Sequence, residues 1–159
     1  MVVLPLAPIA GLMLVTAHIT NPALSPAVFN KWYSDVHVKD MLDNKFASIA
    51  LRYANHTPGV PTVAGAVDAS TQYLALYNVP DINFVSVPGN MDKLPLTSPL
   101  LPDKNKSIMT WSEWKFTYWL PTQTFEGNST ATERPKYVLT YAIEPVDDKD
   151  MEDWYQQEV

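Results

Sequence analysis

The run Leu12-Met13-Leu14-Val15-Thr16-Ala17-His18-Ile19 constrains this chain more than any other stretch. Period two places Met13, Val15, Ala17 and Ile19 on one face of a strand, with Leu12, Leu14, Thr16 and His18 on the other. Both faces are largely apolar, so both need cover. Helices on one side and a second sheet on the other would supply it. Past Asn21-Pro22 comes Ser25, an N-cap, with Pro26 at the first helical position. Val28, Phe29, Trp32, Tyr33 and Val36 then recur at helical spacing as one apolar stripe. Lys31, Ser34, Asp35 and Lys39 fall mostly opposite, and the helix is expected to end near Asp43-Asn44.

Further strands are expected at Phe46 to Tyr53, Gln72 to Val79, the aromatic stretch Ile108 to Leu120, and Tyr137 to Ile143. His56 to Ser70 is rich in Pro, Gly, Thr and Ala and reads as a long loop. Asp81 opens a short helix over Ile82, Phe84 and Val85, which Pro88-Gly89 stops. Leu94 to Lys106 is irregular chain. A polar linker, Glu126 to Arg134, precedes the last strand, and Asp147 or Asp148 caps a final short helix through Met151, Trp154 and Tyr155. The order predicts an α+β fold: a split βαβ, ferredoxin-like antiparallel sheet with its helices on one face. The second apolar face of the first strand points to a homodimer. Residues 1–125 form the main unit, and 126–159 a linker plus partial second repeat packed on the same domain.

At 159 residues, 47% of them hydrophobic, the chain is long enough for one globular domain with a sizeable core. A net charge of −6 and 11 scattered Lys and Arg argue against a nucleic-acid partner. Cysteine is absent, which removes thiolate chemistry and fits a reducing compartment. Val2 to Val15 is apolar, yet no basic residue precedes Lys31, and Pro5 and Pro8 interrupt it. It reads as an extended arm feeding a strand, too short to span a bilayer as a helix, so the expectation is cytoplasmic with no membrane partner. The sequons at Asn55, Asn105 and Asn128 are then chance matches in polar loops.

The first strand, the Trp32-Tyr33-x-x-x-His37 helix, and Gln72-Tyr73-Leu74-Ala75-Leu76-Tyr77 with Asp81-x-x-Phe84 resemble EthD-type proteins of the dimeric α+β barrel superfamily. Thr140-Tyr141 to Trp154-Tyr155 fits a duplication of that unit, as in longer relatives. The resemblance implies a sheet facing a second sheet, a pocket between sheet and helices, and a cofactor-free decarboxylase or cyclase acting on polyketide intermediates. Related barrels include cofactor-free monooxygenases, lactone isomerases and haem-degrading enzymes. The motif histidine carries over onto His37. Trp154 plus five is Val159, so the second copy lacks it and is either truncated or a cover for the first.

His37 borders the apolar stripe, four residues after Tyr33 and five after Trp32. An imidazole there serves either as a general acid/base beside an aromatic pocket or as a helix histidine favoured by the C-terminal dipole. His18 lies on the strand face pointing into the barrel if Met13, Val15 and Ala17 pack under the helix. Trp32, Tyr33, Tyr53, Tyr73, Tyr77, Trp114 and Tyr118 are candidates to line the substrate pocket, although strand aromatics are most often core. Lys115 and Arg52 are candidates to hold a carboxylate, with surface placement the default. His56 falls in the loop, and three histidines without ligand spacing give no metal site. No Ser-His-Asp pattern, phosphate-binding loop or dinucleotide fingerprint occurs.

The expected function is therefore a cofactor-independent lyase or cyclase on an aromatic or polyketide-like molecule, with His37 and His18 catalytic. A cofactor-free monooxygenase on a similar substrate and a non-catalytic binding or dimerisation module are the alternatives.

Overall fold

A computed structural model describes residues 7–55 and 71–121. Four strands, β1 (Gly11–Ile19), β2 (Ile49–Ala54), β3 (Tyr73–Val79) and β4 (Ser112–Trp119), form one antiparallel sheet in the order β2-β3-β1-β4. One helical rod joins β1 to β2, made of α1 (Pro26–Trp32), a π-helical turn (Tyr33–His37) and α2 (Val38–Asp43). A single turn, α3 (Ile82–Val85), follows β3. The fold is α+β, with the strand–helix–strand–strand–helix–strand order expected from the sequence. The predicted last strand and helix, and the loop from His56 to Ser70, lie outside the described residues.

The rod starts as its sequence dictates. Ser25 accepts a hydrogen bond from the Val28 amide and Pro26 occupies the first turn, where a missing N–H costs nothing. Its other end corrects one expectation. Lys45 adopts φ 61°, its amide donates to the Leu42 carbonyl at 3.1 Å, and Phe46 donates to the Met41 carbonyl at 3.0 Å. These are the paired bonds of a Schellman closure, whose hydrophobic residue after the left-handed position packs back on the helix. Phe46 and Ala47 are accordingly buried as a helix stop, and β2 begins at Ile49. A similar correction applies before β4, where Ser107 caps a 3₁₀ turn, Ile108–Thr110, by accepting from the Met109 amide. The strand therefore begins at Ser112 rather than Ile108.

Register assigns the faces. Met13, Val15 and Ala17 lie beside Tyr77, Ala75 and Tyr73 on β3, and beside Tyr118, Phe116 and Trp114 on β4. This face carries the rod, and Phe29, Trp32, Tyr33 and Met41 are buried with it. The second face holds Leu12, Leu14, Ile49, Leu51, Leu74 and Leu76, which are exposed or half-buried, Ile49 at 48%. Among the described residues no helix is long and apolar enough to cross a membrane.

Gly11 starts β1 at a point where the chain passes close to its neighbours. A Cβ there would lie 2.8 Å from the Trp119 carbonyl oxygen and 2.8 Å from Ile82 Cδ1. The carbonyl belongs to the sheet and yields little. Gly11→Ala is expected to lower stability by about 1–3 kcal/mol through overpacking, read as a lower urea midpoint; an unchanged midpoint would show that the strand end relaxes freely.

Candidate active site

The π-helical turn decides where His37 goes. In an α-helix five residues advance the chain by about 140° beyond a full turn, which would splay Trp32 and His37 apart. Here Val38 donates to the Tyr33 carbonyl, a five-residue bond that widens the turn. Trp32 and His37 then stack face to face, with centroids 5.2 Å apart and an interplanar angle of 17°. Tyr33 meets the imidazole edge-on at 5.1 Å, and Trp114 of β4 does so at 5.9 Å. The imidazole is 8% exposed, buried rather than bordering the apolar stripe.

Burial dominates its electrostatics. With aromatic rings around it and the Arg52 guanidinium adding a smaller repulsion, the imidazolium is disfavoured and the His37 pKa falls to about 4. Its Nδ1 is enclosed with no hydrogen-bond partner among the described residues, an uncommon state for a buried polar atom. At neutral pH the ring is uncharged.

His37 lines a cavity of about 430 Å³ between the sheet and the chain that follows α3. Met13, Val15, Trp114, Phe116 and Tyr118 form the sheet wall. Val85, Ser86, Val87, Pro88, Gly89, Met91, Asp92, Leu94 and Leu96 form the opposite wall, and Met109 also lines it. Gly89 holds φ 90°, which permits the turn in that loop, and the Asn90 amide Nδ2 donates to the Phe84 carbonyl at 2.8 Å. The walls are mostly hydrocarbon, with Ser86, Asp92 and Tyr118 as polar groups besides His37.

Three of the sequence-predicted residues thus meet here: His37, Trp114 and Tyr118. Trp32 and Tyr33 stand behind them as the rings that hold His37. Tyr77 donates from its hydroxyl to the Tyr33 hydroxyl at 2.9 Å, and burial pushes the Tyr33 phenol up to about 12 and the Tyr77 phenol higher still. Tyr73 packs on Phe29, with centroids 4.6 Å apart. Two predicted residues are elsewhere. His18 and Tyr53 project from the second face, where His18 Nε2 lies 3.4 Å from Glu113 Oε2. His18 is thus not brought to His37. Arg52 covers the Tyr33 ring at 4.0 Å and donates to Ser34 Oγ at 2.8 Å and Asn30 Oδ1 at 2.9 Å. Lys115 lies beside Thr16 on the second face, and Asp35 accepts from Lys31 at 2.6 Å. His56 lies outside the described residues.

The loop wall was missed in the sequence. Its signal was the sequence Val85-Ser-Val-Pro-Gly, where apolar residues sit beside turn residues that cannot bury them in a helix or strand. Among the described residues no three His, Asp or Glu side chains converge as a metal ion needs.

No protein-family model matches the chain, and no solved structure matches it. Among curated proteins it is similar to core atranone cluster (CAC) protein 1 of Stachybotrys chlorohalonatus (strain IBT 40285). The two are 30% identical over 138 residues, covering 85% of this chain and 53% of that protein. The chain thus spans about half the length of the curated relative it matches.

The depressed histidine pKa has a thermodynamic signature. An unfolded imidazole takes up its proton near pH 6.5, the folded one only near pH 4. Between those values the unfolded chain binds more protons, so acid favours unfolding. Stability from this group is full above pH 6.5 and is expected to fall by about 3 kcal/mol as pH drops through 4. Denaturant melts across that range check this against His37→Phe, in which the loss should be absent. Trp114→Ala opens the ring enclosure and should move the His37 NMR titration midpoint up toward its ordinary value.

Proposed function

We propose that this chain is a cofactor-independent lyase or cyclase acting on an aromatic or polyketide-like small molecule of secondary metabolism. One observation carries the reading: a buried, neutral imidazole in the wall of a mostly apolar cavity of about 430 Å³. Similarity to a protein named for the core atranone cluster supports the metabolic setting. The strand order and the Trp32-Tyr33-x-x-x-His37 segment support an EthD-like, ferredoxin-like unit. The second face, with Leu14, Leu51 and Leu76, is where a second copy would complete a dimeric α+β barrel.

Decarboxylation and ring closure both turn on moving a proton at an activated carbon. With Nδ1 enclosed, Nε2 is the atom of His37 that meets a ligand. In ring closure its lone pair takes a proton from a carbon acidified by neighbouring carbonyls, leaving an enolate beside an imidazolium. The enolate carbon then bonds to a second carbonyl, whose oxygen receives the proton. In decarboxylation Nε2 takes the proton of the substrate's carboxylic acid, loss of carbon dioxide leaves the enolate, and that proton ends on its carbon. Burial makes an isolated imidazolium unfavourable, but an enolate formed in contact with it compensates that charge. The pair is thus stabilised as it forms at the buried end of the cavity. Trp114, Phe116 and Tyr118 offer flat surfaces for a conjugated substrate, and the imidazolium returns the proton to product.

The test is untargeted mass spectrometry of a metabolite extract from the producing organism, incubated with the chain or with His37→Ala. Conversion should depend on His37, the variant losing about 10²–10⁴ in rate while keeping its circular dichroism. Loss of carbon dioxide identifies decarboxylation, an unchanged mass or loss of water identifies ring closure, and gain of oxygen identifies a monooxygenase. Retained turnover in His37→Ala removes this residue from the chemistry, and capture of a metabolite without conversion makes the chain a binding module. For the homodimer, sedimentation should show a dimer that Leu76→Lys converts to monomer; a monomeric parent chain rejects it.

A further inference from the structure

We propose that the cavity selects neutral, largely hydrocarbon ligands carrying a hydroxyl or carbonyl group and turns away carboxylates, with Asp92 as the selecting residue. This rests on the cavity being the ligand site, and it decides between the two reactions left open above.

Among the described residues that line the cavity none is Lys or Arg, and the acidic and imidazole side chains are Asp92 and His37. Neither is a cation at neutral pH, since burial keeps the imidazole uncharged. The guanidinium that acts on His37, that of Arg52, is turned away into a clasp on the rod. It donates to Ser34 Oγ at 2.8 Å and Asn30 Oδ1 at 2.9 Å, lies on the Tyr33 ring, and is not part of the cavity wall. Lys93, the residue after Asp92, lines a separate cavity of about 250 Å³ together with Lys45. Among the described residues, Arg52, Lys93 and Lys45 are thus held outside the cavity wall.

A carboxylate seated against the buried walls at Met13, Val15 and His37 would leave water there, with no Lys or Arg among the described lining residues to pair with. Burial of an unpaired charge is strongly unfavourable. It would also meet the exposed Asp92 carboxylate, of the same sign, at the rim. A phenol, enol or ketone escapes both costs: it leaves water more easily and bonds to the imidazole or to the Ser86 hydroxyl. Decarboxylation starts from a substrate carboxylate, whereas ring closure of a neutral polycarbonyl chain does not. The lining therefore matches ring closure.

The test uses the full chain and two probes of one shape, 1-naphthol and 1-naphthoate, with affinities from isothermal titration calorimetry at pH 7. Met109→Trp, at an exposed position of the wall, locates binding by blocking the cavity. Naphthol is expected to bind at least tenfold more tightly than naphthoate. Asp92→Asn and Asp92→Ser should raise naphthoate affinity at least threefold relative to naphthol affinity in the same variant. Equal affinities, or tighter naphthoate, with both lost in Met109→Trp, would overturn charge selection and leave the ligand site standing. Naphthol preference unaltered in both Asp92 variants would overturn the role of Asp92. Failure of both probes to bind, or binding that survives Met109→Trp, would overturn the ligand site as well.

Discussion

The face-to-face contact between Trp32 and His37 is possible because the helix widens by one residue between them, and the rest of the site depends on that contact. A regular α-helix would have left a histidine on the flank of the rod, half in water and near its ordinary basicity. The five-residue hydrogen bond from Val38 to Tyr33 instead turns the imidazole under the rod. There the rings of Trp32, Tyr33 and Trp114 replace its hydration shell. A widened turn sacrifices good helical geometry, and such turns occur disproportionately at functional sites. In this chain the compensation is aromatic packing, since Phe29, Trp32, Tyr33 and Tyr77 are all essentially inaccessible to solvent.

The two faces of the sheet have different surroundings. Its helix-bearing face contributes Met13, Val15, Trp114, Phe116 and Tyr118 to the cavity wall, and that face carries the proposed chemistry. Its other face carries aliphatic residues and the His18–Glu113 pair. Because successive side chains alternate across a strand, one sequence serves both faces without conflict. The apolar character on both sides of Leu12 to Ile19 reflects this arrangement: one face meets the rod and the cavity, and the other joins Leu51, Leu74 and Leu76.

Much of the frame was legible in the residues. Ser25-Pro26 marked the helix start, alternation marked the strands and their faces, and Asp81 marked the short helix; all three signals are local and survive folding unchanged. The errors have physical reasons. Phe46 and Ala47 looked like strand residues, but a left-handed Lys45 folds them back as a helix stop. Ile108 to Trp111 looked like strand, but Ser107 diverts it into a 3₁₀ turn. The widened turn left no periodic trace, because a single extra residue does not disturb an apolar stripe enough to be seen. Arg52 was a candidate to hold a carboxylate with surface placement the default; its clasp on Asn30 and Ser34 exists only once strand and helix meet. The cavity itself is a tertiary object, half of it built from irregular chain that has no sequence period at all.

That asymmetry of the cavity has a consequence for what substitution can alter. The sheet wall and the rod are bound into the common core, so a substitution there risks the whole fold. The stretch from Ser86 to Leu96 carries no ladder of strand hydrogen bonds and faces the cavity with side chains of every size. Substitutions along this stretch would alter the volume and polarity offered to a ligand while leaving His37 and its ring enclosure in place. A chain built this way can hold one imidazole fixed while what faces it across the cavity varies.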